Sequence, residues 1–277
     1  MTQTDTHATD TPTDATFAAD WHDWHRQHEA ATGGPHGFLA ITSINWLNAD
    51  PQRFTDAPGA WHTDEAGVHV ALADGEEIVV DGTPVRDRYD FGVIPERGGI
   101  TVGWGDAAIE VAKRGGYDIV RPRHPDAPIV SAYRGTPAYA PDQRWVVDGR
   151  YVPFDAPRAI TVDAAVEGIE HVYNSPGRVE FDIDGQSQSL VVFADKPEYG
   201  LFALFTDATS GVTTYGLCRS LSIPAPDSDG TVRIDFNRAT NLPCAYTDLA
   251  TCPLPPRENR LPVAIEAGEL LPHERQR

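Results

Sequence analysis

Four Asp-Gly pairs constrain this chain most: Asp74-Gly75, Asp81-Gly82, Asp184-Gly185 and Asp229-Gly230. Each lies beside short runs rich in strand-forming residues. Glycine enters the left-handed backbone region at no steric cost and Asp tolerates it, so such a pair is a hairpin signal. Val68, Val70 and Leu72 share one face of the run 67–72, and a strand over 77–80 follows the first turn. FDIDGQSQSLVVF reads as one complete hairpin. Further strands are predicted at 85–93, 99–104, 108–113, 117–121, 158–164, 168–174, 178–182, 188–193, 201–206, 213–223 and 232–236. Strands this short, with turns this frequent, fit a mainly β fold: an antiparallel β-sandwich or barrel-like arrangement of two β-rich lobes. No repeated alternation of strand and helix appears, which argues against a doubly wound parallel sheet.

One N-terminal helix is expected. Phe17, Trp21, Trp24, His28 and Ala31 fall at helical spacing, and Gly33-Gly34-Pro35 ends the run. His22, His25 and His28 repeat every three residues along it. No Cys or carboxylate nearby completes a known ligand spacing, so they read as a packing or solvated face. Residues 1–16 are Thr- and Asp-rich and read as a disordered acidic tail. The run 38–47 reads as a strand that buries Trp46, and seven prolines between Pro122 and Pro157 mark a connection with extended pieces at 129–133 and 145–154. The expected organisation is a tail (1–16), a helix with a β-rich lobe and the Pro-rich connection (17–140), and a second β-rich lobe (141–277).

The 277 residues carry a net charge of −19, and only Lys113 and Lys196 are lysines. An acidic surface repels phosphate backbones, so no nucleic-acid partner is expected. No basic leader precedes an apolar stretch and no apolar run reaches membrane length, so neither a signal peptide nor a membrane partner is expected and the anticipated location is cytoplasmic. There Cys218, Cys244 and Cys252 would remain thiols. The sequence specifies no oligomeric state.

Three blocks carry a family resemblance: DATSGVTTYGLCRSL (207–221), DFNRATNLPCAY (235–246) and CPLPPRENRLPVAIEAGE (252–269). They are similar to the signature blocks of the domain-of-unknown-function family DUF 1684. The order upstream is similar too: a Trp-rich helix, the pair Trp46-Leu47, Asp-Gly turns, and an Arg-rich segment at Arg121 and Arg123. Two departures stand out. Cys218 precedes Arg219 where a small residue such as Gly is expected, and Arg123 is followed by His124 rather than an acidic residue. The resemblance implies a mostly β fold and no established substrate.

The candidate chemistry concentrates in these blocks. On a strand over 213–223, Tyr215 and Arg219 share a face, and both could present donors to an anionic ligand with Asp207 orienting the guanidinium. The alternative is a turn whose Asp, Ser and Thr oxygens bind backbone N–H groups. Asp235, Asn237, Asn241 and Asn259 could orient a ligand or bind the backbone of Pro-stiffened loops. Cys244 and Cys252 lack the spacing of a zinc site, and a catalytic thiol would need a base such as His171, His62, His69, His36 or His124. Ser210 sits in no G-x-S-x-G elbow, and no glycine-rich loop opens a helix, so serine-hydrolase and phosphate-loop chemistry lack support. The expected function is binding of a small, anionic molecule beside Asp207, Tyr215, Arg219, Asn237, Asn241 and Asn259. The alternatives are a hydrolase or transferase using Cys244 or Asp235, and a scaffold without catalysis. No metal site is expected, and no cofactor is specified.

Overall fold

The computed structural model describes residues 13–194 and 200–273. Most of the expected tail, 1–12, lies outside them. Helix α1 (Asp14–Thr32) begins earlier than Phe17 because Thr13 caps it, its hydroxyl accepting from Thr16 N at 3.3 Å. Trp21, His25 and Thr32 are its buried residues. No helix among the described residues is long and apolar enough to cross a membrane.

The first half of the chain builds two facing sheets. One contains β1 (Asn45–Trp46), β5 (Ile78–Val80), β6 (Thr83–Val85), β8 (Gly99–Trp104), β9 (Ala107–Arg114) and β10 (Tyr117–Arg123), in the order β1-β10-β9-β8-β5-β6. The other contains β2 (Gln52–Phe54), β3 (Ala57–Asp64), β4 (Gly67–Ala71) and β7 (Arg88–Gly92), paired in chain order β2-β3-β4-β7. Trp61, Val68, Val70, Ile78, Val102, Ile109, Val111 and Val120 fill the space between them. A third sheet takes β11 (Val146–Asp163), β12 (Glu170–Ile183), β13 (Gln186–Ala194), β14 (Leu201–Phe205), β15 (Arg219–Ile223), β16 (Thr231–Asp235) and β17 (Thr240–Asn241), in the order β16-β11-β12-β13-β14-β15-β17. Leu261, Ile265 and Ala267 from the C-terminal segment pack on its core of Phe181, Leu190, Phe205, Leu221 and Phe236. The fold is therefore mainly β and antiparallel, as expected, and its open sheets make it sandwich-like rather than a closed barrel.

Asp81-Gly82 (φ 47° and 77°) and Asp184-Gly185 (φ 50° and 75°) are two-residue hairpin turns closing β5–β6 and β12–β13. The other two pairs are not. Asp74-Gly75 joins β4 to β5, which lie in different sheets. The corner is held by the Glu76 carboxylate, which accepts from Ala73 N (2.7 Å) and Gly59 N (3.0 Å). Asp229-Gly230 leads into β16, whose partner is the distant β11.

Other expectations change as well. The run 38–47 forms a 3-10 turn (Phe38–Ala40) before the two-residue β1, and Trp46 is only half-buried. The piece at 129–133 is a short helix, α2 (Pro128–Ala132), with Pro at its first turn where no N–H is needed. The extended piece expected at 145–154 and the strand expected at 158–164 are one strand, β11, whose register against β12 shifts between Pro153 and Arg158. The strand predicted from 213 starts only at Arg219, because Thr209 O accepts from Val212, Thr213 and Thr214 N and closes a turn instead.

Candidate functional site

The residues singled out in the family-like blocks serve mainly the chain's own backbone. Arg219 and Asp207 form an ion pair at 2.7 Å with side chains 1% and 0% exposed. Arg219 also donates to Ala267 O and, at 3.1 Å, to Ile265 O. Asp207 accepts from Thr209 N (2.8 Å), Thr209 Oγ1 (2.5 Å) and Ile265 N (3.2 Å). Tyr215 is not on the Arg219 face. It lies in the turn before β15 and donates to Cys244 O at 2.8 Å. Asn237 binds the Asp142 backbone through both its amide atoms, at 2.9 and 3.0 Å. Its backbone N donates to Asp235, which caps the 3-10 turn Phe236–Arg238. Asn241 donates to Leu270 O at 2.8 Å. Asn259 is fully buried where β13 and β14 splay apart, accepting from Val191 N (2.7 Å) and donating to Val191 O and Leu204 O (both 2.8 Å). Its amide stands in for missing ladder bonds. None of Arg219, Asn237, Asn241 and Asn259 lines a described cavity, while Asp235 borders a groove of about 770 Å³ with Trp24, His28, Arg233 and Arg238.

The cysteines form no disulfide and are buried. Cys244 N donates to Cys252 Sγ at 3.2 Å. The adjacent Cys244 thiol and burial both push the Cys252 thiol up, and burial does the same to Cys218. Cys252 is therefore held as the thiol, not the nucleophilic thiolate.

A different constellation gathers between the first and third sheets. β9 runs through the middle of its sheet and is buried from Ala107 to Ala112. Ile109 and Val111 point into the sandwich core, so alternation sends Glu110 to the opposite face. The register sets Arg121 of β10 directly opposite Glu110. Arg121 donates to Glu110 Oε2 through Nε (3.0 Å) and Nη2 (2.7 Å), Arg114 reaches Oε1 at 2.7 Å, and Arg123 also bonds Oε2. Burial raises the pKa of Glu110, but Arg121 and Arg123 outweigh it and hold the carboxyl below its usual value. Three guanidinium groups share one carboxylate, which leaves surplus positive charge in an acidic protein.

The surplus faces a cavity of about 280 Å³ lined by Arg97, Arg114, Arg121, His171, Tyr173 and Cys252, among others. Arg97 has φ 65° at the third position of the turn Pro95–Gly98, which Gly98 N closes onto Pro95 O at 2.8 Å. Glycine normally takes that position, and a bulky side chain there costs on the order of 1 kcal/mol. Its guanidinium lies 4.0 Å from the Tyr173 ring centroid. His171 is 3% exposed and bonds Thr251 O at 2.7 Å through Nε2. A carbonyl can only accept, so Nε2 carries the proton and Nδ1, buried without a partner, presents a lone pair. Burial pulls the His171 pKa down, and Arg114 and Arg97 add to this against the Thr251 carbonyl and Glu96. A neutral imidazole and a set of arginines thus face one small cavity. Larger grooves lie elsewhere, such as one of about 830 Å³ over Arg150, Glu180 and Asp182, but that one lacks the convergence of arginines and imidazole.

A family model described as "Protein of unknown function (DUF1684)" matches residues 131–270, just over half of the chain. The chain belongs to the DUF1684 family. The matched span holds all three signature blocks and the His171, Tyr173 and Cys252 side of the cavity, while the arginine side lies ahead of it. The solution NMR structure of an uncharacterized protein of Haloarcula marismortui is similar at 31% identity, covering 50% of this chain and 78% of that one with a TM-score of 0.43. No curated protein matches.

In this DUF1684 chain the last two signature blocks also seat α1. Trp21 Nε1 donates to Asn237 O at 2.7 Å. Glu269, 1% exposed, accepts from Asn241 N at 2.6 Å through Oε2, while Oε1 lies 3.3 Å from His28 Nε2 and 3.7 Å from His25 Nε2. A buried carboxylate thus reaches these histidines from the far end of the chain, beside the local Glu29, whose Oε1 lies 3.9 Å from His25 Nδ1. Burial raises the Glu269 pKa, but His25, His28 and the Asn241 N–H together hold it below the ordinary 4.5. A depressed folded-state pKa adds stability above the unfolded value, and that stability is lost as pH falls through the folded value. Glu269→Gln is therefore expected to flatten the fall in stability below pH 4.5, read by urea unfolding across a pH series. An acid limb as steep as in the parent would refute the assignment.

Proposed function

We propose that this DUF1684 protein binds a small anion carrying a carboxylate or phosphate group in the cavity between the first and third sheets. The observation that carries this reading is the convergence of Arg114, Arg121 and Arg123 on the single carboxylate of Glu110, with Arg97 on the same cavity. Guanidinium groups match the planar, bidentate geometry of carboxylate and phosphate oxygens. A cavity of about 280 Å³ suits a ligand of few heavy atoms. His171 Nδ1 would accept from a ligand hydroxyl, and Tyr173 would form an apolar wall. The strained backbone of Arg97 agrees with a side chain kept for a task. The binding role earlier given to Asp207, Arg219 and their neighbours becomes one of support: they brace the β15 side of the third sheet. Thiol chemistry at Cys244 draws no support from a cysteine pair buried and hydrogen-bonded within itself.

Thermal unfolding with phosphate, sulfate, pyruvate and succinate tests the proposal. A ligand at a hundred times its Kd stabilises the folded state by about 2.7 kcal/mol. At least one anion should raise Tm saturably in the parent, with the gain largely lost in Arg97→Ala. That substitution removes a lining charge while leaving the Glu110 cluster paired. Absence of a saturable shift with every anion, or the same shift in the variant, would rule the site out.

A further inference from the structure

A second cluster lies on the outer face of the four-stranded sheet, independent of the anion cavity. The β3–β4 register places His62 directly opposite His69, and the β4–β7 register places His69 opposite Asp90. Asp64 is two residues beyond His62, so it projects from the same face. Trp61, Val68 and Val70 point the other way into the core, which leaves this polar set on the open side. Three neighbouring strands thus bring two imidazoles and two carboxylates together from positions with no ligand-like spacing in the sequence.

We propose that His62, Asp64 and His69 form a binding site for one divalent transition-metal ion of the zinc, nickel or copper class, with Asp90 orienting His69. One nitrogen or oxygen from each of the three residues lies within 4.8 Å of the others. His69 Nδ1 meets Asp90 Oδ1 at 2.7 Å, and its Nε2 lies 3.0 Å from Asp64 Oδ1. Bond lengths of about 2.0–2.1 Å in a tetrahedral site separate neighbouring ligand atoms by roughly 3.3 Å. The His69–Asp64 pair already has that separation. Asp90 on the other ring nitrogen is the carboxylate–histidine arrangement that fixes the tautomer of a metal ligand. The His62 ring stacks 4.9 Å from His69, and its Nδ1 is buried without a hydrogen-bond partner. Such an atom is costly to leave unpaired, and a small rotation of the ring would bring a nitrogen to the ion. Imidazole with carboxylate selects this metal class over calcium or magnesium, which favour all-oxygen sets. Three protein ligands leave a fourth position for water. Arg88 also lines this cavity of about 270 Å³, where two carboxylates outweigh its charge.

The test is calorimetric titration of the untagged, chelator-treated full chain with zinc chloride. One equivalent should bind saturably. His69→Gln and His62→Gln should each weaken binding at least about tenfold, and Asp90→Asn by about ten- to a hundredfold. His28→Gln, in the other histidine cluster, should bind as the parent does. The copper(II)-loaded parent should show two nitrogen ligands by electron paramagnetic resonance, a reading that needs no variant to fold. No saturable binding, full affinity in both His62→Gln and His69→Gln, loss in His28→Gln, or fewer than two nitrogen ligands would each overturn the proposal.

Discussion

Asp207→Ala should lower the unfolding free energy by about 3–5 kcal/mol, enough to unfold much of a marginally stable chain. The change strands the Arg219 guanidinium, 1% exposed, with backbone carbonyls and no counter-charge. It also removes the acceptor used by Thr209 N, Thr209 Oγ1 and Ile265 N, so the turn after β14 and the segment over the third sheet loosen together. Urea unfolding of the single variant measures the loss. The double variant Asp207→Ala with Arg219→Met should recover part of it, because no buried charge then remains and the methionine keeps contact with Phe205. A single variant within 1 kcal/mol of the parent would mean the pair is far better solvated than its burial indicates.

Glu110→Gln should have an effect of similar size for a different reason. The amide keeps the shape but removes the only carboxylate that Arg114, Arg121 and Arg123 are seen to share. Three guanidinium groups around a neutral side chain repel one another, and the expected loss is again about 3–5 kcal/mol. The two variants then part company. Added phosphate or sulfate should restore part of the stability of Glu110→Gln by supplying the missing negative charge, and should leave Asp207→Ala no better than salt alone predicts. An anion response equal in both variants would count against a specific site at Glu110.

The two real hairpins were legible because Asp-Gly readily adopts a left-handed pair between alternating strands, as at Asp81-Gly82 and Asp184-Gly185. Asp74-Gly75 does not close a hairpin: only Gly75 is left-handed (φ 84°), and the pair turns a corner between β4 and β5, which lie in different sheets. Helix α1 was legible from its aromatic spacing. The turn at 213–218 was not, because Thr213, Thr214 and Tyr215 all favour strands, and the Thr209 carbonyl that captures the N–H groups of Val212, Thr213 and Thr214 has no local signature. The family-like blocks drew attention to Asp207, Arg219 and Asn259 by their polarity. Polar residues near a sheet also serve to satisfy backbone, and burial separates the two uses. The arginine cavity was harder to find. In the sequence Arg121 and Arg123 carry only the family resemblance, and Glu110 reads as an ordinary charge in AAIEVAK. That charge in the middle of a run buried on both faces was the available signal. Its partners became visible only with the β9–β10 register. Of the histidine–aspartate cluster, only the His62–Asp64 pair follows from spacing along one strand; His69 and Asp90 join it through cross-strand pairing.

The seat of α1 bears on how the protein is made. Trp21 docks on the Asn237 carbonyl, and His25 and His28 meet Glu269, over two hundred residues downstream. At translation rates of about 5–20 residues per second, the helix emerges on the order of ten seconds or more before its seat exists. Trp21 has no Asn237 carbonyl to dock on through that interval, so an element made before all three sheets is among the last to be secured. A nascent chain of this protein therefore offers an aromatic helix to chaperones while its sheets are being made, and withdraws it only when the final signature block is released.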